Sequence, residues 1–255
     1  MKRLPIADCR FAIGLLLIVE FVCSIGCDND ASSAKGSDAA PPRVEVKTGT
    51  GIVRGVVKFD GTPPKMATIA NKPCHAGAKE IEEETVIVGE AGALMNAFVF
   101  VEGAGTDDGS KREPAVLDQV NCRYVPHVVG VQVGQTLNVR SSDDTMHNVH
   151  YKPDRNAAAN LTMTRPGAQK QVTFAAPEFI RVKCDVHPWM TAYVGVFNTP
   201  FFAATGVDGT FEIKGLPAGE YTLVAWHELY GRQQQPLTVA DETKPVEATF
   251  RYKAP

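Results

Sequence analysis

The stretch from residue 184 to residue 190 carries three side chains that can bind a soft transition metal. Cys184, His187 and Met190 supply a thiol, an imidazole and a thioether at three-residue spacing, and a strand-like segment lies on each side of them. A further imidazole, that of His147, lies upstream in a polar segment. A thiolate, two imidazoles and a weakly bound thioether form the ligand set of type 1 copper, which carries single electrons. These four residues therefore predict one copper ion.

Two other interpretations of the same residues stay open at this point. Zinc also binds one thiolate together with two imidazoles, although a thioether is not among its usual ligands. A cysteine in a strand is more often a small buried apolar residue, and a methionine more often fills a core. Because Cys184 and His187 alone are a weak signal, the prediction of a metal site depends on Met190 and His147 as well.

The motif C-x-x-H-x-x-M at residues 184–190, with D-x-x-x-H-N-V at residues 143–149, resembles the cupredoxins, the blue copper family of plastocyanin and amicyanin. The resemblance covers about residues 92–198 and implies a Greek-key β-sandwich with one type 1 copper. It also implies that Asn148 joins the two ligand loops by hydrogen bonds and that His150 is an extra imidazole beside the site. The ligands that it implies are His147, Cys184, His187 and Met190.

The same resemblance implies a function without enzymatic activity. Cupredoxins pass single electrons between proteins, so we expect a transient redox protein as the partner. Electrons are expected to pass at the edge of His187, with Pro188 and Trp189 in the docking patch. The alternative is an envelope binding protein without redox work, either a copper carrier or a carbohydrate-binding module.

Composition and motifs exclude several other classes of protein. The chain has 255 residues, with 26 Lys and Arg against 29 Asp and Glu, and this near-balance argues against a nucleic-acid binder. It contains no nucleophile-elbow serine, P-loop or dinucleotide fingerprint. Two further histidines are not expected to bind metal: His127 is predicted to be packed or hydrogen-bonded, and His227, opposite Trp226 on a strand, is predicted to be exposed.

Short runs of β-branched and aromatic residues recur between turn signals from Gly51 onward. In one run, Ile180 and Val182 alternate with Arg181 and Lys183, which is typical of a strand with one buried face. Helical periodicity is scarce. We therefore predict an all-β protein built from a cupredoxin-like Greek-key sandwich and a smaller transthyretin-like sandwich.

The pattern of turns changes after residue 198. Residues 64–198 are predicted to form the cupredoxin-like domain, and residues 199–255 contain close turns at Asp208-Gly209 and at residues 217–219. The latter segment resembles carboxypeptidase regulatory-like domains and the middle domain of rhamnogalacturonan lyases, which suggests carbohydrate as a ligand. Residues 51–63 are expected to supply a strand that completes this C-terminal sandwich.

The N-terminal segment is a targeting signal. Residues 1–27 begin with basic side chains and continue into the apolar run 11–22, which is too short to cross a bilayer. Gly26-Cys27 resembles a bacterial lipoprotein cleavage site, with Cys27 lipidated; a plain secretory signal is the alternative. Residues 28–50 are small and polar, and we expect a flexible linker. The protein is therefore expected at the periplasmic side of the bacterial envelope, in contact with the membrane through its lipid anchor only.

The remaining cysteines follow from this location. Cys9 and Cys23 leave with the signal segment. Exported proteins form disulfides, so Cys74 and Cys122 are the natural pair once Cys184 is assigned to the metal. The alternative is a second metal site at Cys74 and its neighbouring histidine.

Overall fold

The computed structural model describes residues 49–69, 81–105 and 112–254, and these are almost entirely strand and loop. Among the described residues, no helix combines the length and the apolar character of a membrane span. The strands are β1 Gly51–Asp60, β2 Thr68–Ile69, β3 Ile81–Glu82, β4 Phe98–Glu102, β5 Ala115–Val120, β6 Arg123–Val125, β7 Val128–Gln132, β8 Leu137–Ser141, β9 His147–Tyr151, β10 Ala159–Met163, β11 Gln169–Val172, β12 Glu178–Lys183, β13 Thr191–Phe197, β14 Phe202–Ala204, β15 Thr210–Leu216, β16 Gly219–His227, β17 Gly231–Val239 and β18 Val246–Lys253.

The first sandwich has a five-stranded sheet, β10-β9-β12-β13-β7, and a four-stranded sheet, β11-β8-β5-β6. Apolar residues of both sheets share one core, among them Leu117 on β5 and Val194 on β13. On β12 the predicted alternation is confirmed, because Ile180 and Val182 are buried while Arg181 is exposed. The sheets are mixed, since β13 runs parallel to β7 and β5 runs parallel to β8.

The second sandwich has a three-stranded sheet, β15-β1-β18, and a four-stranded sheet, β14-β4-β16-β17. Strand β1 lies in the middle of the smaller sheet, antiparallel to β15 and parallel to β18. The strand expected within residues 51–63 thus pairs with two strands that follow residue 205. Gly55 permits this close approach, because a Cβ there would lie 1.8 Å from the carbonyl oxygen of Ala248. The all-β prediction with two sandwiches is confirmed.

Strand β4 departs from the expected division of the chain at residue 64. It lies within residues 64–198, yet it pairs with β14 and β16 of the second sandwich. Val99 and Val101 face the core of that sandwich, whereas Phe98 and Phe100 belong to a separate aromatic cluster. Because both faces of β4 are apolar, its sequence shows no alternation that would assign it to one sandwich.

The two sandwiches contact one another through this aromatic cluster. Phe98 of β4 lies 5.7 Å from Phe179 of β12 and 5.5 Å from Phe197 of β13 between ring centroids. Phe179 stacks on Trp226 of β16 at 4.2 Å. Gly195 leaves space for these rings, because a Cβ there would lie 2.8 Å from the ring of Phe197. These rings form one apolar cluster between the sandwiches.

The prediction that His227 is exposed is wrong. The side chain is fully buried, and its Nδ1 accepts a hydrogen bond from the backbone N–H of Leu229 at 3.2 Å. The first sandwich covers the opposite face of β16 at Trp226, so neither face of this strand is free for solvent. His127, predicted to be packed or hydrogen-bonded, is buried and hydrogen-bonded to Glu228. Burial, with a smaller contribution from His127, lowers the pKa of His227 to about 4.

The depressed pKa of His227 predicts a loss of stability in mild acid. The unfolded chain titrates this group near pH 6.5, so between pH 6.5 and about 4 the unfolded state binds more protons. The contribution of the neutral His227 to the free energy of unfolding is complete above pH 6.5 and is lost as the pH falls towards 4. Its loss amounts to about 3 kcal/mol in the free energy of unfolding, measured by urea titration at pH 7.5 and pH 4. His227→Phe should lose correspondingly less over this window, and an equal loss in both proteins would contradict the assignment.

Candidate metal centre

A tightly closed loop between β12 and β13 carries three of the four predicted ligands. The backbone N–H of Cys184 donates to the carbonyl oxygen of Met190 at 3.1 Å, and the N–H of Met190 donates to that of His187 at 2.9 Å. The side chain of Cys184 is 2% exposed and that of Met190 is 1% exposed, and both belong to the core of the first sandwich. The loop therefore buries its sulfur atoms while His187 stays partly accessible.

The fold brings His147, at the start of β9, against this loop. Its Nδ1 lies 3.0 Å from Nδ1 of His187, which in turn lies 3.8 Å from Sγ of Cys184. Ligand atoms of a tetrahedral ion bound at 2.0–2.3 Å are about 3.3–3.8 Å apart. The two distances from Nδ1 of His187, to Nδ1 of His147 and to the thiol of Cys184, are therefore close to those between ligands around one ion. Met190 lies at the end of the same loop.

Asp143 fixes the orientation of the His147 ring. Its Oδ2 lies 2.8 Å from Nε2 of His147. A carboxylate at this distance holds the ring proton on Nε2, which leaves Nδ1 unprotonated and able to bind a metal. Burial, the largest single effect, lowers the pKa of His147, but hydrogen bonds to Cys184 and Asp143 together raise it above its ordinary value.

The environment of Cys184 favours its thiolate form. Burial raises the pKa of the thiol, but the hydrogen bond with His147 and further hydrogen bonds from the loop outweigh it and lower the pKa below its ordinary value. In its protonated form the thiol donates to Oδ1 of Asn148 at 3.3 Å, and this one contact favours the thiol over the thiolate. A thiolate is the form of cysteine that binds metals, so this position is chemically suited to a ligand.

Asn148 connects the two segments of the site. Its Oδ1 accepts a hydrogen bond from the backbone N–H of Asp185 at 2.7 Å, and its Nδ2 donates to the carboxylate of Asp185 at 2.8 Å. The same Nδ2 donates to Oδ1 of Asn160 at 2.6 Å. Asn148 thus holds the start of β9 and the residue after Cys184 together, as the sequence resemblance implies.

His150 occupies a different position from the imidazole pair. Its Nδ1 lies 2.9 Å from the carboxylate of Asp185, which also accepts from Lys183 at 2.9 Å. Together with Asn148, these groups hold the pKa of Asp185 well below its usual range. His150 is therefore placed in a carboxylate network on the outer side of the loop, whereas His147 lies against His187.

Two residues that lie beside the site, Asp143 and Cys122, were assigned no role there from the sequence. Asp143 accepts hydrogen bonds from the backbone N–H groups of Asn121 at 2.6 Å and Cys122 at 2.8 Å, in addition to its contact with His147. Its position four residues before His147 was the only available signal. Sγ of Cys122 lies 4.0 Å from Nε2 of His187, which no pattern in the sequence indicates.

The state of the cysteines decides which sulfur is available as a ligand. Sγ of Cys122 and one ring nitrogen each of His147 and His187 lie within 4.8 Å of one another. Cys122 is, however, disulfide-bonded, whereas Cys184 is a free buried thiol. In this state the free thiol beside His187 is that of Cys184. The predicted disulfide partner, Cys74, lies outside the described residues, as do Cys27 and the predicted signal and linker.

Several chain neighbours of His147 and His187 are apolar and exposed. Met146 is 49% exposed and Val186 is 46% exposed, and Pro188 is exposed as well. Trp189 is partly buried, donates its indole N–H to the carbonyl oxygen of Cys122 at 3.1 Å, and lies 5.2 Å from the His187 ring between centroids. Exposed apolar side chains therefore flank both imidazoles in the chain, and Trp189 packs beside the His187 ring.

Comparison with known proteins gives likenesses to solved copper proteins. No protein-family model and no curated protein matches the chain. A proline-to-glycine mutant of amicyanin in its reduced Cu(I) form at pH 4 is 21% identical, covers 39% of this chain and 98% of its own, and has a TM-score of 0.31. A purple cupredoxin from Nitrosopumilus maritimus is 19% identical, covers 32% of this chain and 99% of its own, and has a TM-score of 0.29. At such scores these likenesses add nothing to the geometry described above.

The role of Asp143 predicts a large effect of its removal in the metal-free protein. Asp143→Ala leaves the buried His147 ring and the N–H of Cys122 without their acceptor, and should lower the free energy of unfolding by about 2–4 kcal/mol. The matched control is Asp144→Ala, because Asp144 is the exposed neighbouring carboxylate and its loss should cost less than about 0.5 kcal/mol. Equal effects of the two substitutions in urea unfolding would contradict the role of Asp143.

Proposed function

We propose that the protein is an exported, copper-binding electron-transfer protein of the cupredoxin type. The observation that carries this proposal is that Nδ1 of His187 lies 3.0 Å from Nδ1 of His147 and 3.8 Å from the free buried thiol of Cys184. The proposed ligands are His147, Cys184, His187 and the thioether of Met190, which favours copper over zinc. Copper bound there would supply a one-electron couple.

The side chains of the site are suited to hold their positions while the charge of the site changes. Asp143 fixes His147, and Asn148 fixes the residue that follows Cys184. The loop itself is closed by two backbone hydrogen bonds between Cys184, His187 and Met190. A site that keeps its geometry in both oxidation states needs little reorganisation, and this favours rapid electron transfer.

The proposed place of docking is the apolar surface around His187. Met146, Val186 and Pro188 are exposed there, and a small apolar surface of this kind suits a transient redox partner. His187 is the predicted ligand that is partly accessible, whereas Cys184 and Met190 are buried. The proposed location is the bacterial cell envelope, with attachment through a lipid on Cys27.

The first test of the proposal is the visible spectrum of the purified protein with Cu(II). The wild type should bind one copper ion with an intense thiolate-to-Cu(II) absorption band, because a covalent copper–thiolate bond is the source of that band. Cys184→Ser should abolish the band. Met146→Leu is the control: it removes an exposed thioether next to His147. It should leave the band unchanged, because Met190 and not Met146 is the proposed thioether ligand.

Two outcomes of this experiment would reject the electron-transfer proposal. A colourless protein that retains only Cu(I) would be a copper carrier. A protein whose band persists in Cys184→Ser would use a different sulfur, and the site as assigned would be wrong.

The docking surface predicts an effect on electron self-exchange between reduced and oxidised copies of the protein. Val186→Lys adds a positive charge to both copies at the apolar surface, and repulsion should slow self-exchange at low salt by about tenfold or more. The rate can be measured from line broadening in NMR spectra of mixed oxidation states. As a control, the charge is placed outside the surface with Val207→Lys, since Val207 is 70% exposed on the second sandwich. Equal slowing in both variants would contradict docking at His187.

A further inference from the structure

The candidate centre has a second sulfur atom on the other side of His187. Sγ of Cys184 lies 3.8 Å from Nδ1 of this ring, and Sγ of Cys122 lies 4.0 Å from its Nε2. Cys122 is fully buried, and its sulfur lies within 4.8 Å of ring nitrogens of both His147 and His187. A disulfide sulfur is a poor metal ligand, but a thiolate at this place would complete a Cys/His/His donor set.

The position of Cys122 is fixed by contacts that do not involve its disulfide. Asp143 accepts a hydrogen bond from the backbone N–H of Cys122 at 2.8 Å and from that of Asn121 at 2.6 Å. The indole of Trp189 donates to the carbonyl oxygen of Cys122 at 3.1 Å. The turn that these bonds hold has a left-handed backbone at both residues, with φ values of 53° and 52°. Opening the disulfide would therefore leave the sulfur beside the imidazoles.

We propose that reduction of the Cys122 disulfide opens a second metal-binding state of this protein, in which Cys122, His147 and His187 hold a d10 cation such as Zn²⁺. A dithiol reductant supplies two electrons and two protons, the S–S bond breaks to give two thiols, and the reductant becomes a disulfide. Metal binding then displaces the proton of the Cys122 thiol. This state goes beyond the proposed electron-transfer function, because it does not need the thiolate of Cys184.

The two states exclude one another, because both use the imidazoles of His147 and His187. The oxidised protein keeps these rings for the site at Cys184. The reduced protein offers them to a cation held by Cys122, which favours a redox-inactive tetrahedral ion. The disulfide would thus select which metal chemistry the imidazole pair performs.

The test uses the full mature chain with Cys184→Ser, so that the type 1 site is absent and only the second state is measured. The protein is reduced, and the reductant is then removed under exclusion of oxygen. The protein is titrated with Cd²⁺, whose thiolate complexes absorb in the ultraviolet. We expect one Cd²⁺ per chain with a thiolate band, bound about 100-fold or more tightly than by the unreduced variant. The matched control is the reduced double variant Cys122→Ser/Cys184→Ser, which retains every other thiol and should lose the band.

Two results would overturn the proposal: no band after reduction, or an equal band in the reduced double variant. If reduced Cys184→Ser fails the circular dichroism check for folding, the same titration compares reduced wild type with reduced Cys122→Ser. In the wild type two thiolates should then contribute to the Cd²⁺ absorption band, whereas in Cys122→Ser only one should contribute. A Cd²⁺–Cys122 band without any Cu(II)–thiolate band in the oxidised wild type would reject the proposed function and leave this inference intact.

Discussion

The geometry of the candidate centre depends on one carboxylate, that of Asp143. Its two carboxylate oxygens accept hydrogen bonds from the ring of His147 and from the backbone N–H groups of Asn121 and Cys122. The turn of Asn121 and Cys122 belongs to the four-stranded sheet of the first sandwich, whereas His147 belongs to its five-stranded sheet. One partly buried carboxylate therefore contacts both sheets at the end of the sandwich where the imidazoles meet, and sets the tautomer of His147.

The aromatic stack that joins the two sandwiches at Phe179 lies at a distance from this end. Phe179, near the start of β12, stacks on Trp226, whereas Cys184 directly follows the end of the same strand. At about 3.3 Å per residue, the interface and the thiol lie roughly 17 Å apart along β12. The aromatic interface thus stabilises the scaffold, while the apolar surface around His187 stays open. The proposed electron transfer and the aromatic contact between the sandwiches would thus use opposite ends of β12.

Sequence reasoning predicted the parts of the site that short motifs carry. The spacing of Cys184, His187 and Met190 placed them on one loop, and the H-N-V segment brought His147 and Asn148 to it. The contact of Cys122 with His187 could not be predicted, because it joins two turns that are distant in the chain. Burial of His227 was missed because alternation along one strand does not show what covers its outer face.

The central claim is that one metal ion is bound by the thiolate of Cys184 and the imidazoles of His147 and His187. X-ray absorption at the copper edge of the loaded, oxidised protein tests it most directly, because it counts the atoms bound to the metal. The account predicts one short copper–sulfur distance together with two imidazole nitrogens. A copper environment of nitrogen and oxygen atoms alone would contradict it.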